Sequence, residues 1–63
     1  MKYDIYRGTE KDMKESGGEL MLVKCNRLHV KEFCKRHGIK ADGFLDGDYI
    51  AVGDSGFWLE EAM

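Results

Sequence analysis

The stretch Cys25–Ile39, CNRLHVKEFCKRHGI, constrains this chain more than any other, because it carries a helix signal together with both of its ends. Asn26 is a strong N-cap: its side-chain oxygen can accept from an amide that the first helical turn leaves unpaired. Cys25 and Val30 stand at the N′ and N4 positions of a hydrophobic staple. At about 100° per residue, Val30, Phe33, Cys34 and His37 share one stripe, and Lys31, Glu32, Lys35 and Arg36 lie on the other side. The basic last turn and Gly38 stop the helix, and Ile39 is placed for the apolar contact of a glycine C-cap. The spacing predicts a helix over residues 27–37.

One amphipathic helix must then cover what remains, and the remainder reads as strand and turn. Tyr3–Arg7 has strand composition and ends at Gly8. Residues 9–18, TEKDMKESGG, are polar except for Met13. Thr9 and Asp12 have capping-box spacing and Glu10 and Lys14 are spaced to pair, but a helix polar all round has little to hold it. A mobile loop is therefore expected at about 9–18. Glu19–Cys25 reads as a buried strand forming a hairpin with the first. Further on, Asp46-Gly47 between Phe44-Leu45 and Tyr49–Val52 has the form of a hairpin turn, and Gly53–Gly56 turns the chain again into Phe57–Glu60. The expected fold class is α+β in the order ββαβββ, one helix packed on a mainly antiparallel sheet. At 63 residues the chain is a single domain, 1–63, near the lower limit of what a hydrophobic core holds together unaided.

Charge is unevenly placed. Residues 24–40 hold six bases against one acid, Glu32, and residues 41–63 hold six acids and no base. A basic middle and an acidic last third make the molecule dipolar. No apolar run exceeds four residues, so neither a membrane span nor a secretory signal can be drawn. With only two cysteines, the expected setting is reducing and cytoplasmic, without a membrane partner.

The pairs Cys25/His29 and Cys34/His37 raise the question of metal or thiol chemistry. Their spacing lacks the paired knuckle of zinc fingers. On a helix, Cys34 and His37 share a face while His29 stands about 140° from Cys34. Cys25 and Cys34 are also separated by about 13 Å of helical rise, too far for a disulfide. A Cys34–His37 dyad would face the sheet, away from substrate. The letters Gly53-Asp54-Ser55-Gly56 resemble the nucleophile segment of trypsin-like proteases, but Phe57 follows and the chain is too short for that double barrel. Asp42, Asp46 and Asp48 do not match a calcium loop and suit turns. No catalytic residue, metal or cofactor is expected, and the reading is non-enzymatic.

Strand alternation turns Ile5, Ile50, Val52, Phe57 and Leu59 toward the helix and gathers Asp4, Tyr6, Tyr49, Trp58 and Glu60 on a second face expected to be open to solvent. Aromatic rings among acids suit a protein-binding surface: Tyr6, Tyr49 and Trp58 as anchors, Asp48 and Glu60 steering a basic partner. The same face would equally suit a homodimer. The expected function is therefore a small protein-binding regulator or inhibitor, of the kind that phages and mobile elements encode as accessory proteins. The alternative is nucleic-acid binding through Arg27, Lys31, Lys35 and Arg36 on the basic helix. A third is a metal or thiol role for Cys34 and His37.

Overall fold

The computed structural model describes residues 1–62. Its elements run β1 (Lys2–Gly8), α1 (Glu10–Lys14), β2 (Glu19–Cys25), α2 (Arg27–His37), α3 (Ala41–Leu45), β3 (Ile50–Val52) and β4 (Ser55–Ala62). The strands form one antiparallel sheet in the spatial order β2-β1-β4-β3. Strands from the two ends of the chain, β1 and β4, make the central pair, in register from Lys2 opposite Ala62 to Gly8 opposite Gly56. The α+β class agrees with the sequence; the order of elements is βαβααββ.

Helix α2 is built as its sequence dictates. The Asn26 side chain accepts from the His29 amide at 2.9 Å. Gly38 takes the left-handed conformation at φ 69°. The Ile39 amide donates to the Cys34 carbonyl at 2.8 Å and the Gly38 amide to that of Lys35 at 3.4 Å, the two bonds of a Schellman stop. The helix lays Val30, Phe33 and Cys34 on Ile5, Phe57 and Leu59 of the sheet, with Cys25, Ile39 and Phe44 completing the core. Phe33 lies at its centre, edge-on to Phe57 at 5.0 Å and stacked toward Phe44 at 6.1 Å.

Three expectations about elements are corrected. Phe44-Leu45 is not a strand: Ala41, Phe44 and Leu45, at i, i+3 and i+4, form the inner side of α3, and all three pack in or against the core. Asp46-Gly47 therefore ends a helix and does not turn a hairpin; the Asp46 amide donates back to the Asp42 and Gly43 carbonyls, and Gly47 has φ 96°. The hairpin is the next turn, where Gly53-Asp54 joins β3 to β4 as a two-residue loop between paired Val52 and Ser55.

Residues 10–14, expected within a mobile loop, form α1. Its capping box is reciprocal: the Asp12 amide donates to the Thr9 hydroxyl at 3.1 Å and the Thr9 amide to the Asp12 carboxylate at 2.9 Å. These bonds hold a turn of helix that buries no residue. Val52, expected in the core, is exposed on the three-residue edge strand β3.

Candidate functional site

The second face of the sheet is partly closed. Trp58 lies opposite Tyr6 in register, and the two rings stack at 5.6 Å with an interplanar angle of 11°. Tyr49 approaches from the other side at 6.2 Å, and its hydroxyl donates to the Gly8 carbonyl at 2.8 Å. Gly18, at φ 94°, brings the chain entering β2 so close that a Cβ there would meet the Trp58 ring. The indole N–H donates to the Glu60 carboxylate at 3.2 Å. Trp58 is consequently only 2% exposed, which corrects the expectation of an open aromatic anchor. It is the floor of a second, smaller cluster on which Tyr6 rests.

Of the five residues expected to bind a protein partner, Tyr6, Trp58, Glu60 and Tyr49 are brought together and Asp48 is not. Asp48 belongs to the turn after α3, where its amide donates to the Gly43 carbonyl and its carboxylate lies beside Gly43. What remains accessible is an acidic row, Asp4 opposite Glu60, next to the half-buried Tyr6. Burial and then the charges of Glu60 and Asp4 push the Tyr6 phenol above its ordinary range.

The largest departure from expectation is β2. It is one of the two edge strands, and Leu20, Met21, Leu22 and Val23 are all exposed, Val23 to 58%. Only Cys25 at its end is buried. Leu20 lies opposite Tyr6, on the second face; Leu22 lies opposite Ile5, on the helix side. Register irregularities between these pairs twist the strand, and Lys24, at φ 50°, turns its amide to the Asp4 carboxylate at 3.0 Å. The apolar run thus shows side chains on both faces of the sheet edge.

Beside it, on the helix side, Leu22 and Cys25 of β2 and His29, Glu32, Phe33 and Arg36 of α2 line a half-open cleft of about 240 Å³. Leu28, 64% exposed, stands next to Glu32 on the helix surface and extends the apolar area outward. Helical geometry divides α2 into three stripes: the core stripe, this cleft stripe, and a basic stripe of Arg27, Lys31 and Lys35 at i, i+4 and i+8. Arg36, grouped with those bases from sequence, lines the cleft instead.

The cysteine–histidine pairs do not assemble a centre. Cys25 and Cys34 are free, buried thiols, both raised by burial above the ordinary thiol range; Asp4 raises Cys25 further and Lys2 opposes it. The His37 ring packs on Phe33 at 4.4 Å and Phe57 at 5.1 Å. Among the described residues, no three His, Cys, Asp or Glu side chains gather where a metal ion could be held. No helix among them is long and apolar enough to cross a membrane. The chain shows no significant match to any protein family, curated protein or solved structure with which it was compared. The geometry alone therefore indicates the site.

Proposed function

We propose that this is a non-enzymatic protein-interaction domain that accepts an extended polypeptide strand along β2. The observation that carries this reading is the exposure of four consecutive apolar side chains on an unpaired sheet edge. Such an edge offers a row of free backbone donors and acceptors, and native proteins commonly blunt or cover it. Strand addition satisfies both the backbone and the apolar side chains. Leu20 and Tyr6, with the acidic pair Asp4 and Glu60, flank the edge on one face; the β2–α2 cleft flanks it on the other. Trp58 contributes by supporting Tyr6.

A second reading is nucleic-acid binding, favoured by Arg27, Lys31 and Lys35 sharing one exposed stripe of α2. Site-specific photo-crosslinking in the native host separates the two. A photoreactive residue replacing Val23 is expected to yield protein adducts, and one replacing Lys31 is not. Adducts to nucleic acid from position 31, with none to protein from position 23, would overturn the proposal. Silence at both positions would remove it as well.

A further inference from the structure

We infer that the strand accepted by β2 is β2 of a second copy, paired antiparallel about a two-fold axis to make a continuous eight-stranded sheet. This rests on the strand-accepting reading above and names its occupant. The argument is the sequence of the edge itself: Glu19-Leu20-Met21-Leu22-Val23-Lys24 is four apolar residues with an acid at one end and a base at the other. Antiparallel pairing centred on the apolar run brings the Glu19 end of each strand to the Lys24 end of the other, and does so twice by symmetry. Parallel pairing would set like charges together, which is unfavourable in a sheet. The strand is therefore complementary to itself in one orientation.

Two features of the fold agree. An isologous interface closes as a dimer, and the sheet edge then left outside is β3, only three residues long, too short to continue a filament easily. A two-fold axis perpendicular to the sheet also keeps both α2 helices on one side. The cleft lies on the β2 side of α2, so the two clefts, with Leu28 beside each, flank the seam between the copies. The apolar surface exposed on one chain would be covered by the same surface on the other.

Sedimentation equilibrium of the purified full chain tests this, with three variants. Wild type is expected to be a dimer, and Val23→Lys to weaken it on the order of tenfold or more by placing a charge in the seam. Glu19→Lys and Lys24→Glu are each expected to weaken self-association roughly three- to tenfold, since each sets like charges together. Mixing those two variants restores opposite charges at both contacts and is expected to give a heterodimer near wild-type affinity, an outcome that misfolding cannot imitate. A dimer indifferent to Val23→Lys and to the charge reversals would place the interface elsewhere and overturn the inference. A wild-type monomer at all concentrations, with position 23 still crosslinking another protein in the host, would overturn it while leaving the strand-accepting reading intact. A monomer without such crosslinks would end both.

Discussion

The Tyr49 hydroxyl donates to the Gly8 carbonyl at 2.8 Å, tying the segment before β3 to the end of β1 across the intervening β4. Gly56, paired with Gly8, lies beneath the Tyr49 ring: a Cβ there would strike that ring and the Ile50 carbonyl oxygen. Tyr49→Phe removes only the hydrogen bond and is expected to cost about 1 kcal/mol. Gly56→Ala forces ring and backbone apart and is expected to cost more, about 1–3 kcal/mol. Urea denaturation of the two variants checks both size and order.

The burial of Trp58 changes what its removal means for binding. Trp58→Ala is expected to cost about 3–5 kcal/mol, a large share of the stability of so small a domain. Loss of binding in that variant would report unfolding. Tyr6→Ala is the informative change on this face. A melting temperature for Trp58→Ala within a few degrees of wild type would contradict the packing described.

The caps of α2 give a third test. Asn26→Ala removes the bond to the His29 amide, and Gly38→Ala places a Cβ at φ 69°. Each is expected to cost about 1 kcal/mol, or roughly 4–8 °C in melting temperature for a domain of this size.

The buried thiols make stability depend on pH at the alkaline end. Burial raises Cys25 and Cys34 above the ordinary thiol range, so the folded chain holds these protons more tightly than the unfolded chain. The stabilisation is complete below the unfolded thiol pKa of about 8.5 and is lost as pH rises through the higher folded values. Unfolding free energy is expected to fall with pH there, and to fall less in a Cys34→Ser, Cys25→Ser variant. An equal slope in that variant would contradict the assignment.

How much of this was legible in the sequence follows from how local each signal is. Helix α2 was readable to its ends because Asn26 and Gly38 act on backbone within a few residues of themselves. The capping box of α1 is equally visible at Thr9 and Asp12, but the segment has no apolar stripe and so carries no second signal for a helix. Ala41, Phe44 and Leu45 carried the spacing of α3, but Asp46-Gly47 offered a hairpin at the same place; burial of Phe44 against α2 decides for the helix. The positions of Trp58 and β2 were not legible. Trp58 is covered because Gly18 returns over it from a distant part of the chain. Leu20–Val23 looks like a core strand, and its exposure comes from the strand order, which places β2 at an edge.

Amide hydrogen exchange along β2, followed by NMR over a concentration series, tests the role of this edge most directly. The amides of Leu20–Val23 that point away from β1 are expected to exchange rapidly at low concentration and to become protected as concentration rises, together with a shift of the Leu28 signals. If they exchange rapidly at every concentration while the amides of β1 and β4 remain protected, β2 is a bare edge in the free protein and self-pairing does not occur.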